Sequence, residues 1–468
     1  MLSISEKSCA KQSSIKSVSN FFHHYQMGSD LKRAGAYKKK GIPVSTIIMY
    51  LISLIYTGKS MFEDFRNETP FAQGFRKDTV YRLLNSSSVN WQSLLLSIAS
   101  KVVSFIDSLT SSDRLNAFVV DDTFFSTLYA KKTELVSLVH DHAEKGKNKY
   151  KWGFRMLTLG WTDGSTFIPL CFRHLASSDE KKQRCGCKAN LDKRSRAYQI
   201  RREAVSKATE VLVLQLKAAT KFGITAKHVL FDSGFAYPST IMKIHSLGLH
   251  TTARVKNTTK INYLVDGKKM NAKEIYHRNK KRRGKSRYLL SVPIELFAAD
   301  SNLTTTLSAK LVYVRNRQKR NDWIALLSTD LTLTEEEIIA LYGKRWNIEV
   351  FFKISKSYLK LTGEFQQRSY DAITAHTTIV MIRYMILSLE KRKNEDPRSL
   401  GGLFYQSFDE AADIRFEQVL LLIMDLLADT LQDTDLGLTE KQMEQIMDSF
   451  IQKLPQSIQS CLPPALVV

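Results

Sequence analysis

Apolar and polar residues alternate in three regimes along the chain. From position 15 to about 109 the apolar residues recur at helical spacing in short pieces, over 17–27, 44–56, 60–67, 77–86 and 91–109. From 116 onward the apolar runs shorten to strand length, at 116–120, 154–161, 166–172, 228–231, 250–255, 288–293, 308–315 and 323–328. Asp163-Gly164 between two of them is a hairpin signal. A long helix is expected over 197–222, stopped by Gly223, and a shorter one opens with Pro238 in its first turn. Helical spacing returns over 335–361, where no Pro interrupts and Thr334 with Glu337 forms a capping box. It continues over 366–391, 414–430 and 439–452. The pattern predicts a mixed α/β core between helical N- and C-terminal regions.

Two strand runs end abruptly in carboxylates. Asn116–Val120 leads into Asp121-Asp122-Thr123, and His228–Phe231 leads into Asp232-Ser233-Gly234-Phe235. Site residues collect at strand ends in α/β sheets, although a strand followed by Asp is also a common plain junction. A third carboxylate lies on the 335–361 helix. With roughly 100° between residues, Tyr342, Arg345, Glu349 and Lys356 fall within an arc of about 60°. Trp346, Val350, Phe351 and Ile354 point elsewhere, so the helix is expected to be packed on several sides. Arg345 and Glu349 at i,i+4 also fit an ordinary salt-bridge stripe. Either Asp121 or Asp122 can serve as the first carboxylate.

Charge narrows the partner. The 468 residues carry a net +23, and 395–468 hold 13 acidic against 4 basic side chains, so the first 394 residues carry +32. That imbalance favours a polyanion. Seven of the ten residues from Arg278 to Arg287 are Lys or Arg, including Arg282 and Arg283. The five cysteines make no disulfide framework, which suits a reducing compartment, and Cys185-Gly186-Cys187 is too tight for a zinc knuckle. His140-Asp141-His142 lacks an evident third ligand. The N-terminus has no signal-peptide core, and the apolar run at 44–56, read as the longest, is too short to span a bilayer.

The stretch Tyr342 to Lys356 reads Y-x2-R-x3-E-x6-K. It resembles, at all four positions, the YREK signature of the insertion-sequence-four family of DDE transposases. The blocks Asp121-x-Thr123 and Asp232-x-Gly234-Phe235 are similar to that family's two aspartate blocks. The resemblance covers most of 110–360 and implies an RNase H-like catalytic core interrupted by a mostly β insertion. It implies Asp121, Asp232 and Glu349 as catalytic metal ligands for two Mg²⁺, with Mn²⁺ able to substitute. It implies DNA contacts from Tyr342, Arg345 and Lys356, and base stacking by Trp323, which precedes the glutamate helix as in hairpin-forming members. Arg282 and Arg283 in the basic insertion are expected on phosphate.

The expected layout is a helical DNA-binding domain at 1–112, the first part of the core at 113–255, the basic β-rich insertion at 256–320, the last part of the core with the YREK helix at 321–394, and an acidic helical region, a site for oligomerisation, at 395–468. The resemblance further implies cut-and-paste transposition through a DNA hairpin. The partners would be double-stranded DNA, as terminal inverted repeats and target, and a second protomer in a synaptic complex, with no membrane and a prokaryotic cytoplasmic setting on the nucleoid. Two other functions fit the same residues: a structure-specific nuclease of RNase H-like fold, and a transposase-derived DNA-binding protein with an idle site.

Overall fold

The computed structural model describes residues 18–57, 60–66, 74–110, 114–127, 130–140, 150–188, 191–281, 286–297, 306–316, 322–364, 368–394 and single positions between 439 and 452. Backbone contacts divide the chain into two units, Met1–Pro397 and Arg398–Val468.

The first unit is organised by one mixed sheet. Its centre is β1 (Ala117–Ser126), flanked by β3 (Tyr150–Thr162) on one side and β5 (His228–Phe231) on the other. β3 runs antiparallel to β1 and to both its outer partners, β2 (Ser137–His140) and β4 (Phe167–Leu175). β5 runs parallel to β1, and β6 (His250–Arg254) parallel to β5. Three antiparallel strands followed by two parallel ones, in the order β4-β3-β1-β5-β6, form the sheet of an RNase H-like fold. Helices link the parallel strands, as such crossovers require.

Beyond β6 the sheet continues. β11 (Trp323–Ser328) pairs antiparallel with β6, and β10 (Thr306–Arg315), β9 (Leu290–Phe297), β7 (Asn262–Val265) and β8 (Lys268–Asn271) extend it. Among the described residues between β6 and β11, the regular structure is these four strands and one helix, Ala272–Arg278, started by an Asn271–Glu274 capping box. Arg282 and Arg283 lie outside the described residues.

Helices cover the sheet and supply the N-terminal part. Helices occupy Val44–Ser53, Met61–Arg66, Lys77–Leu84 and Trp91–Ser108, near the positions that periodicity predicts; the 17–27 pattern is helical over 18–24, and Met27–Arg33 is a further helix that periodicity does not predict. The longest apolar helix is instead Tyr370–Asn394, whose stretch Tyr370–Leu389 is long and apolar enough to cross a membrane. It is a core helix here: 89% of that stretch is buried, against Trp91–Ser108, β4 and Val44–Ser53.

Two expected helices are broken. The 197–222 pattern forms Arg196–Ala204 and Ala208–Lys221, because the Ala204 carbonyl accepts from the Ala176 N–H at 2.8 Å instead of continuing its own helix. The 335–361 pattern forms Glu335–Gly343 and Trp346–Ser357. Around Lys344 and Arg345 the backbone closes i→i−3 bonds, a tight turn of 3₁₀ type. Lys344 Nζ donates to Leu115 O at 2.6 Å, just before β1, and Asn347 Nδ2 to Thr162 Oγ1 at 2.9 Å and Gly164 O at 3.3 Å, which pins the break to the start of β1 and the β3–β4 turn. Gly164 in that turn has φ +103°, and a Cβ there would meet Lys344 Cε at 3.1 Å. Both the left-handed backbone and the lysine's approach require a glycine.

In the second unit the 414–430 pattern lies outside the described residues, and helical positions occur between 442 and 452. Thr439 donates to Gln442 Oε1 through both its N–H and its hydroxyl, each at 2.9 Å, at the start of that stretch.

A buried ion network ties the helices to the sheet. Arg201 donates to Glu134 at 2.6 Å and to Asp371 at 2.8 Å, and all three side chains are under a tenth exposed. Replacing Arg201 with Leu strands two carboxylates without their cation. Urea unfolding should show about 3–5 kcal/mol lower stability; a loss below about 1 kcal/mol would mean that water reaches the carboxylates.

Candidate active site

The register of β1 and β5 positions the first two carboxylates. The parallel pairing ends at Val120 opposite Phe231, and Asp121 and Asp232 are the next residues on each chain. Neighbouring strands lie about 4.8 Å apart and paired residues point to the same face, so the two side chains start as neighbours. Asp232 Oδ1 is buried and makes no hydrogen bond.

Glu349 is delivered by the helix Trp346–Ser357, which lies along β1. Its inner face is fixed by Phe351, which packs against Phe167 and Tyr384. Arg345, at the break before the helix, donates to Asp121 Oδ2 at 2.7 Å and to Glu349 Oε1 at 2.5 Å. One guanidinium thus joins the strand carboxylate to the helix carboxylate. The Tyr342 ring lies 5.8 Å below the same guanidinium. Lys356 Nζ donates to Thr123 Oγ1 at 2.6 Å further along β1. Arg345 and Lys356 reach β1, Glu349 is joined to it through Arg345, and Tyr342 lies under Arg345, although the helix expected to carry all four is broken.

Asp121 and Asp122 part at this point. Side chains alternate along a strand. Asp121 and Thr123 turn to the helix, while Asp122 forms an ion pair with Arg155 of β3. Asp121 therefore shares a cation with Glu349, and Asp122 does not. Trp323 opens β11, which runs against β6 and so begins at the sheet edge where β1 and β5 present their aspartates. It is half-buried, stacked on Tyr276 at 5.2 Å.

The electrostatics of the cluster are those of crowded acids. Burial, opposed by Arg345 and reinforced by Asp122 and Glu349, pushes the Asp121 carboxyl up to about 7. Burial disfavours the charge on Arg345, but Tyr342, Asp121, Glu349 and Asp232 outweigh it and hold the guanidinium protonated. Burial raises the Tyr342 phenol to about 12 and lowers Lys344 to about 8. Among the described residues no three His, Cys, Asp or Glu side chains converge closely enough to hold an ion. The donor set itself suits a hard divalent cation: three carboxylates, one with an unused buried oxygen. In this structure Arg345 supplies the positive charge between two of them.

An RNase H-like sheet thus carries Asp121 on β1 and Asp232 just past the neighbouring β5, and meets Glu349 through Arg345. The comparisons agree. A family model described as DDE superfamily endonuclease matches residues 59–321, more than half of the chain, and the chain belongs to that family. A second model, described as archaeal putative transposase ISC1217, matches residues 254–391. The first match contains Asp121 and Asp232, and the second contains Glu349. No curated protein matches the chain. The chain is a transposase-type nuclease.

Sequence reading missed Arg155, Lys344 and Asn347. None stands in a recognisable spacing with the carboxylates. Arg155 reaches Asp122 only through the β1–β3 register, in which it faces Phe124.

Ionised Asp121 weakens the fold. In the unfolded chain an aspartate keeps the ordinary value of 3.8, whereas here it titrates near 7. Its stability contribution is full below the lower value and is lost as pH rises to the higher. Asp121→Asn should therefore gain stability over wild type between these limits, by up to about 1.4 kcal/mol per pH unit. Paired melts in EDTA at stepped pH measure it; a difference independent of pH would refute the raised carboxyl.

Proposed function

We propose that this chain is a DNA transposase of the insertion-sequence-four type, which cuts DNA at the ends of its element and joins the freed 3′ ends to target DNA. One observation carries the reading: Asp121 on β1 and Asp232 just past β5 stand side by side where the pairing of the two strands ends, with Glu349 linked to Asp121 through Arg345. Tyr342, Arg345 and Lys356 stand at YREK spacing across the two helices and the break between them, and the two family matches together span the aspartate strands and the glutamate helix.

Asp121, Asp232 and Glu349 would hold the divalent ions, two Mg²⁺ by the resemblance, with Mn²⁺ a substitute. When bound, such ions activate an oxygen nucleophile and stabilise the departing oxygen of an in-line displacement. The protein's own side chains position the DNA. Arg345 and Lys356 carry cations along the face of the helix that meets β1, where a phosphate near the cut would pair with them. Tyr342 seats the Arg345 guanidinium over its ring. Trp323, held rigid by Tyr276, is an aromatic platform at the same sheet edge, which supports the base-stacking role in a hairpin pathway. The N-terminal helices and the basic insertion, Arg282 and Arg283 included, are assigned to DNA, and the acidic C-terminal region to pairing of two protomers.

The test is cleavage and joining on DNA carrying the element's own flanking ends, for wild type and Glu349→Gln, with and without Mg²⁺. Wild type should join 3′ ends only with metal, and Glu349→Gln should keep DNA binding while losing at least about 100-fold in rate. Hydrolysis without joining would replace the transposase with a nuclease. Binding with no chemistry would mark a retired enzyme.

A further inference from the structure

The face of β1 turned away from the Arg345 helix meets a further cation, Arg155. Asp122 there pairs with Arg155 of β3, whose side chain remains 36% exposed. The Arg155 guanidinium lies 5.8 Å over the ring of Phe235, in the turn that follows Asp232. Its Nε is buried and makes no hydrogen bond. Two residues beyond Phe235, the Tyr237 hydroxyl accepts a hydrogen bond of 3.0 Å from Lys256 Nζ, just past the end of β6. Tyr237 is 38% exposed. Arg155 also feels the Tyr237 phenol and the Asp121 carboxylate electrostatically, so these groups form one cluster. Arg155, Tyr237 and Lys256 thus come from three separate segments and line the edge beside Asp121 and Asp232.

We propose that Arg155, Tyr237 and Lys256 form a phosphate-binding row for the DNA strand flanking the cut, beside Asp121 and Asp232. This rests on the DNA-cutting reading above. The donor chemistry is that of a phosphodiester site. A guanidinium has five N–H donors. Asp122 engages Nη2, which fixes the plane of the fork and leaves Nη1 to meet a phosphate oxygen. The Tyr237 oxygen accepts from Lys256, so the phenol's own proton is left to donate outward. Lys256 adds a full charge at the far end. A phosphate backbone approaching the acids meets repulsion from Asp121 and Asp232, and cations on both faces of β1 counter it. Binding the duplex from two sides also fixes which phosphate stands over the carboxylates.

The experiment is fluorescence anisotropy of a labelled duplex in EDTA over a salt series, so that chemistry plays no part. Wild type is compared with Arg155→Gln, Lys256→Gln, the double variant and Tyr237→Phe. Each cation removed should lower the slope of log affinity against log salt by about one, and the double variant by about two. Tyr237→Phe should weaken binding at unchanged slope. Unchanged affinity and slope in the folded cation variants would overturn the row and leave Asp122–Arg155 as an ordinary ion pair. If Arg155→Gln fails to fold, the slope of Lys256→Gln decides alone, since Lys256 only borders the fold. Absence of DNA binding by wild type would instead defeat the function on which the row rests.

Discussion

The bridge from Asp121 through Arg345 to Glu349 is the contact on which the rest of the site depends. Its first and last members are far apart in the chain, one on a central strand and one on a helix reached only after the whole insertion. Two carboxylates in a half-buried position repel one another, and each would take up a proton if left alone. A single planar fork satisfies both with short charge-assisted bonds. That fork comes from the break between two helices, where the chain turns tightly enough to aim Arg345 at the strand and still present Glu349 one turn later. Lys344 and Asn347 hold the break in place by reaching the β3–β4 turn. The hairpin's Asp163 and Gly164 therefore bear on the active site, though they lie at the opposite end of β1 from it.

Arginines serve two purposes in this chain, and they should be kept apart when its charge is interpreted. Arg201 binds Glu134 and Asp371, Arg383 binds Glu364 at 2.8 Å, and Arg114 and Arg392 both reach Asp163. These are buried ties between helices and sheet, whose charge is cancelled within the fold. They contribute to the large positive balance without offering anything to a polyanion. The cations proposed for DNA are those at the carboxyl edge of the parallel strands, where Arg345, Lys356, Arg155 and Lys256 stand near Asp121 and Asp232. The distribution of charge, more than its total, makes the surface specific.

Much of this arrangement was legible in the sequence. The apolar runs before Asp121 and Asp232 are short because both faces of a central strand are buried there, and period and position give them away; β5 does end before Asp232, but β1 continues past Asp121 to Ser126, held by its ladder with β3. The Asp163-Gly164 turn announces its hairpin, and the Thr334–Glu337 box starts its helix where expected. The two helix breaks were not legible, because each depends on a partner remote in the chain: Ala176 for the first, and Leu115 and Thr162 for the second. Periodicity counts residues along one segment and is blind to a carbonyl claimed by another. The same limit hid Arg155. It also hid the choice between Asp121 and Asp122, which strand alternation leaves symmetric until the helix is seen to lie on one face.

The continuity of the sheet bears on how the site meets DNA. A β insertion between β6 and the glutamate helix could have formed a separate body on a tether. Here its strands add to the core sheet through β10 and β11, so the insertion is held in register with the aspartate strands. Since β11 runs against β6, its first residue, Trp323, starts at the edge where β5 and β6 end, beside the point where β1 carries Asp121. A ladder of backbone hydrogen bonds then fixes the spacing from indole to carboxylates, which a flexible linker would leave to chance. If a base is to be held out of a duplex while the neighbouring phosphate is cut, that spacing must be constant from one turnover to the next. A continuous sheet supplies it without any contact between Trp323 and the acids themselves.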